Sequence, residues 1–125
     1  MKRLPRISES EWQVMKVLWA KSPATANEVI DALAATCDWS DKTIRTLLTR
    51  LVGKKALGYK PSGRSYLYYP LVEERQCVKA ESRSFLRRVY GGALMPMLAA
   101  FLEDERLTSE EIASLKRILD EKGEA

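Results

Sequence analysis

A single short aromatic hairpin, set behind three amphipathic helices, restricts the fold of this chain more than any other feature. Leu57-Gly58-Tyr59-Lys60 and Ser65-Tyr66-Leu67-Tyr68-Tyr69 read as strands, joined by the basic turn Pro61-Ser62-Gly63-Arg64 and closed by Pro70. Two strands alone are marginal in water, so this pair must pack on the preceding helices. Those helices are signalled by their starts. Ser8 with Glu11, and Thr25 with Glu28, have capping-box spacing: the hydroxyl accepts from the third residue's N–H and the carboxylate reaches back to the cap. Ile7 and Trp12 add a hydrophobic staple to the first box. Trp12, Met15, Leu18 and Trp19 then carry a helix over about 9–21, until Ser22-Pro23 stops it. Ala26, Val29, Ile30, Leu33 and Cys37 form the stripe of the second helix, which makes Cys37 a small core residue.

The third helix opens at Ser40, with Asp41 at the positive end of its dipole and Trp39 and Ile44 as its staple. Ile44, Leu47, Leu48, Leu51 and Val52 face inward. The opposite face is Lys42, Thr43, Arg45, Thr46, Thr49 and Arg50, with no acid after Asp41. A solvated face ordinarily mixes signs, and threonine is a mediocre helix former, so these residues are there for contact. Short hydroxyls beside arginine forks suit base edges and phosphates in a major groove. Three helices followed by a hairpin is the order of a winged helix-turn-helix, and the connection over about 36–40 is short enough for that motif. The expected mechanism turns Thr43, Arg45, Thr46 and Thr49 toward bases. Arg50, Lys54 and Lys55 neutralise phosphates, and Arg64 on the wing reaches backbone or minor groove. The start of the second helix, Thr25-Ala26-Asn27, offers N–H groups to a phosphate. The competing expectation is a winged helix used for protein–protein assembly, which predicts an apolar or mixed-charge face instead.

The remaining chain is helical with a different purpose. Val78, Ser82, Phe85, Leu86 and Val89 mark one face of a helix of about 72–90, ended by Gly91-Gly92. Ala93–Leu102, with Leu94, Leu98, Phe101 and Leu102, is apolar nearly all round and must be buried. Thr108 with Glu111 is a third capping box, with Leu107 and Ile112 as staple, leading into Ile112, Leu115, Ile118 and Leu119. These helices have too little mass to cover the middle one, so they are expected to form half of a symmetric dimer interface; the alternative is that they fold back on the first domain. Cys77, beside the first apolar stripe, is expected to be a buried or half-buried thiol. The fold class is therefore mainly α with a small β-hairpin: a winged helix-turn-helix over 1–71 and an all-α dimerisation region over 72–125.

Charge divides at the same place. Residues 1–70 hold twelve Lys/Arg and six acids, a net +6; residues 71–125 hold nine and eleven, a net −2, for +4 overall. That pattern puts an electrostatic footprint on the first part. The composition also removes chemistry. There is no histidine, hence no Ser-His-Asp or Cys-His nucleophile and no His-bearing zinc site. Cys37 and Cys77 cannot by themselves form a metal site, and they give no disulfide framework. No enzyme, metal or cofactor is expected. Met1–Arg6 is followed by a charged amphipathic stretch rather than a signal-peptide core. The longest uncharged apolar run has ten residues and contains Pro96, whereas a membrane span needs about 20. A cytoplasmic protein without membrane insertion is expected.

Several segments resemble the penicillinase and methicillin-resistance repressors of the BlaI/MecI family. They are Ile7–Trp19 (ISESEWQVMKVLW), Asp38–Leu51 (DWSDKTIRTLLTRL) and Tyr68–Glu74 (YYPLVEE). Phe85, Val89-Tyr90-Gly91-Gly92, Phe101 and the Leu107–Leu119 helix are similar to the family's dimerisation region, so the resemblance covers essentially the whole chain. It implies a homodimeric repressor on an inverted-repeat DNA operator, blocking transcription of genes of the β-lactam-resistance type. It further implies a membrane-bound sensor metalloprotease that detects a β-lactam and cuts the repressor within its dimerisation region. The family's cut falls at an Asn-Phe bond. The corresponding pair here is Ala100-Phe101, which keeps Phe and lacks Asn. The copper-responsive branch of this superfamily carries a C-terminal cysteine motif. No Cys follows Cys77, so copper sensing is not implied.

Overall fold

The computed structural model describes residues 4–123. Met1, Lys2 and Arg3, counted above in the basic amino-terminal part, lie outside the described residues. The element order is α1 (Glu9–Ala20), α2 (Ala26–Ala34), α3 (Asp41–Gly53), β1 (Leu57–Ser62), β2 (Ser65–Pro70), α4 (Glu74–Tyr90), α5 (Leu94–Glu103) and α6 (Ser109–Gly123). The chain divides into two compact units, one ending at Ser82 and the other starting at Arg83.

In the first unit the helix starts form as their spacing predicts. Glu11 N–H donates to Ser8 Oγ at 3.2 Å while Ser8 N–H donates to Glu11 Oε1 at 2.8 Å. The Thr25/Glu28 pair repeats this at 3.2 and 2.9 Å, and Ser40 Oγ accepts from Thr43 N–H at 3.1 Å. Each box satisfies donors that the first turn of a helix cannot pair internally. The apolar stripes then meet: Val14, Met15 and Leu18 of α1, Val29 and Leu33 of α2, and Ile44, Leu47, Leu48 and Leu51 of α3 are buried together with Ala56 and Leu57. Each of the larger side chains contributes roughly 1.5–3 kcal/mol by leaving water. Helix α2 ends earlier than its stripe suggests. The N–H groups of Thr36 and Cys37 both turn onto Leu33 O, at 3.1 and 2.8 Å, so Cys37 lies past the helix, half-buried against the core.

The hairpin differs from its expected outline. Pro61 and Ser62, read as turn residues, belong to β1 and pair with Tyr66 and Ser65 in an antiparallel register that runs back to Leu57 opposite Pro70. The loop is only Gly63-Arg64, with Gly63 at φ 62°, the conformation a tight hairpin asks of its first central residue. Pro61 is tolerated because each strand of a two-stranded sheet is an edge. The helices hold the pair in place. Tyr68 N–H donates to Ala24 O at 2.8 Å and Ala24 N–H returns to Tyr68 O at 3.1 Å, adding the segment before α2 to the edge of β2. Leu71 N–H donates to Ala56 O at 2.8 Å, and Trp19 Nε1 to Val72 O at 3.0 Å. The hairpin is thus a wing fixed to a helix-turn-helix. Cys77, near the start of α4, is buried in this unit, and burial pushes its thiol pKa up.

Gly91 and Gly92, at φ 59° and 88°, end α4 by turning their N–H groups onto the carbonyls of Arg87 and Leu86. The Thr108/Glu111 box forms at 3.0 and 2.9 Å. Phe85 stacks on Phe101 with ring centroids 6.2 Å apart. Among the described residues from Arg83 onward, none is buried. No helix among the described residues is long and apolar enough to cross a membrane.

Candidate nucleic-acid interface

Helix α3 presents its polar face to solvent because its other face is nailed down by Ile44, Leu47, Leu48 and Leu51. Lys42, Arg45, Thr46, Thr49 and Arg50 line one shallow groove along that face. A second groove runs between the start of α2 and the wing, lined by Thr25, Ala26, Asn27, Arg45, Arg64, Ser65, Tyr66 and Tyr68. Arg45 belongs to both. The fold therefore brings together Thr25, Asn27 and Arg64, which are remote in sequence, around the arginine at the middle of the helix face.

Several of these side chains are already oriented. Arg45 Nη2 donates to Asn27 Oδ1 at 2.8 Å. The hydroxyls of Thr46 and Thr49 donate back to the carbonyls of Lys42 and Arg45, at 2.9 and 3.0 Å. Their hydrogens being spent on the helix, what they offer a ligand is an acceptor oxygen and a methyl group. Thr43 Oγ1 shares a hydrogen bond with Ser40 Oγ at 3.0 Å, which places it at the capped start of the helix.

The end of α3 separates the two lysines that sequence spacing had put together. Lys54 Nζ donates to the carboxylate of Glu11 and to Arg6 O, the latter at 2.8 Å. Glu11 is 1% exposed, so Lys54 compensates a buried charge rather than projecting toward a phosphate. Burial alone would raise the Glu11 pKa. The hydrogen bonds from Lys54 and from Ser8, with the Lys54 charge, outweigh burial and hold it below the ordinary carboxylate value. Lys55 stays exposed. Its φ is 66°, the left-handed position that usually takes glycine, and the helix closes around it: Ala56 N–H bonds Leu51 O and Lys55 N–H bonds Val52 O, both at 3.0 Å.

Residues missed by pattern reading are Ser65, Tyr66 and Tyr68, which line the groove beside Arg64 and Asn27. In the sequence they carry only a strand pattern; in the structure Tyr66 is 50% exposed. Tyr59 packs edge-on against Tyr66 at 5.2 Å and steadies it.

The residues expected to pair two copies lie on α4, α5 and α6. Val78, Val89, Leu94, Phe101, Leu102, Ile112, Ile118 and Leu119 are exposed, while Phe85, Leu86, Leu98 and Leu115 are half-buried. Ala100 and Phe101 sit inside α5, both exposed. Among the described residues no cluster of Cys, Asp or Glu has the arrangement of a metal site.

The penicillinase repressor family model matches residues 7–121. The chain is 46% identical over 121 residues to the penicillinase repressor of Bacillus licheniformis, covering 97% of this chain and 94% of that protein. It is 40% identical over 116 residues to the methicillin resistance regulatory protein MecI of Staphylococcus aureus, covering 93% and 94%. Among solved structures, the monomeric form of Bacillus licheniformis BlaI in complex with the blaP half-operator is 47% identical, with a TM-score of 0.52 over 59% of this chain and 90% of that one. With a wing fixed beside a helix-turn-helix and a family match reaching almost from end to end, this chain belongs to the penicillinase repressor family, transcriptional repressors of winged-helix fold and not enzymes.

Proposed function

We propose that the chain represses transcription as a homodimer, with α3 of each copy in a major groove of a dyad-symmetric DNA operator. The observation that carries this reading is the exposed, acid-free face of α3 joined to the α2–wing groove through Arg45. Thr43, Arg45, Thr46 and Thr49 face bases, with Lys42 beside them. Arg50, Lys55 and Arg64 contact phosphates, joined by the N–H groups at Thr25-Ala26-Asn27. Lys54 supports the helix from behind. Residues 1–71 form the DNA-binding domain and 72–125 the dimerisation region, where the exposed apolar residues of α4–α6 meet their copies across a two-fold axis. A mobility shift with a random duplex at two salt concentrations tests the DNA reading. Salt-sensitive binding supports it, and no binding at either concentration would leave the protein-assembly reading. Sedimentation of the free protein tests the dimer.

The names of the relatives support regulated genes of the β-lactam-resistance type, and the signal proposed is a cut by a membrane-bound sensor metalloprotease, with the repressor in the cytoplasm. The Ala100–Phe101 bond lies in α5, a helix with no side-chain cap whose apolar residues the dimer would cover, so a cut there removes part of the pairing surface. Ala100, standing where the family pattern has Asn, favours a second reading: a repressor of the same architecture that answers a different signal. Incubating the protein with membranes bearing its own sensor, with and without β-lactam, and sizing the fragments separates the two.

A further inference from the structure

We infer that the side chain of Asn27 is a positioning group for DNA sequence reading, acting through Arg45 while only the backbone N–H of Asn27 faces a phosphate; this rests on the DNA-binding reading above. The two residues lie on different helices, 18 positions apart, and Arg45 Nη2 donates to Asn27 Oδ1 at 2.8 Å. Both supports are fixed. Asn27 sits in the first turn of α2, whose Thr25/Glu28 box is closed and whose Val29 is fully buried, and Arg45 follows the buried Ile44 on α3. An arginine side chain is long and loses much freedom when it binds in one geometry. A neighbour that already holds one end of the guanidinium removes part of that loss before DNA arrives.

The chemistry of the partner matters. A guanidinium only donates, so the amide oxygen must face it, and one bond leaves its remaining N–H groups for a base edge. Asn27 is neutral. It fixes the direction of Arg45 without cancelling the charge that attracts a polyanion, which a carboxylate at the same place would do. The groove on the wing side of Arg45, with Arg64 and Tyr66, leaves room for the backbone of the duplex next to the base being read.

The test is a double-mutant cycle read as sequence discrimination. The probe is the strongest duplex selected by the wild-type protein from a random-sequence pool, compared with a scrambled duplex of equal length. Asn27→Ala, which keeps the backbone N–H, should lower the ratio of selected to scrambled affinity by about 3–30-fold, within the range of coupling between contacting side chains, and leave thermal stability unchanged. In an Arg45→Ala background the same change should do nothing further. Asn27→Asp should weaken both duplexes. Equal loss on both duplexes for Asn27→Ala, or the same loss of ratio with Arg45 already removed, overturns the inference. If the wild type selects no sequence from the pool, the DNA-reading role fails and this inference with it.

Discussion

Lys54, at the end of α3, donates from Nζ to the carboxylate of Glu11, a charge buried at the start of α1. The pair joins α3 to α1 across 43 residues of sequence, and Arg6 O accepts a second hydrogen bond from the ammonium. Removing Lys54 strands the carboxylate; Lys54→Met should cost about 1–3 kcal/mol of stability in denaturant unfolding. Because Glu11 has its pKa lowered in the folded state, its stabilising effect is full above about pH 4.5 and is lost as pH falls below that toward the folded value. Glu11→Gln should flatten this part of the pH profile. The salt dependence of DNA binding should keep its slope in Lys54→Met, whereas loss of a phosphate contact would reduce it by about one.

Lys55 should behave oppositely. Its left-handed backbone favours glycine, so Lys55→Gly should raise stability by roughly 0.5–1 kcal/mol. The same variant should lose about one unit of salt slope, because the exposed ammonium is proposed to contact a phosphate. A variant both more stable and weaker on DNA would separate function from folding at this position. No change of slope would remove Lys55 from the interface.

Gly58 pairs across the wing with Tyr69, and a Cβ there would come within 2.7 Å of the Tyr69 ring. Gly58→Ala should therefore push the ring aside and destabilise the wing by about 1 kcal/mol. In a Tyr69→Ala background the penalty should vanish or reverse, since alanine is the better strand residue once space exists. Unfolding of the four proteins of that cycle measures it.

The two thiols should label in order. Cys37 is half-buried at the end of α2, and Cys77 is buried with its thiol pKa raised. A thiol reagent at neutral pH should modify Cys37 first and reach Cys77 only at the rate of unfolding. Equal rates in native buffer would show that the start of α4 does not pack as described.

What was legible in the sequence was mostly local. The Ser8/Glu11, Thr25/Glu28 and Thr108/Glu111 boxes need only three-residue spacing, and all three form. The buried stripe of α3 follows from a 3.6-residue period, and that period also delivers its polar face. Relations across the fold were not legible. Nothing near Glu11 marks it as the partner of Lys54, and both read naturally as a cap and a surface cation. Asn27 and Arg45 meet only because α2 and α3 cross. Pro61-Ser62 looked like turn because proline and serine are turn formers, but the register continues to Ser62 and leaves glycine to make the bend. The anchoring of the wing by Ala24 was hidden because one bridge residue has no strand pattern of its own.

A dyad-symmetric site read by α3 would show in footprinting on the DNA upstream of the chain's own gene. The footprint should be a protected palindrome whose half-sites are centred about one helical turn apart, roughly 34–36 Å, or a multiple of that. Arg45→Ala should lose this protection while still binding random duplex in low salt. Absence of a protected palindrome, or an unchanged footprint with Arg45→Ala, would contradict reading of such a site by α3.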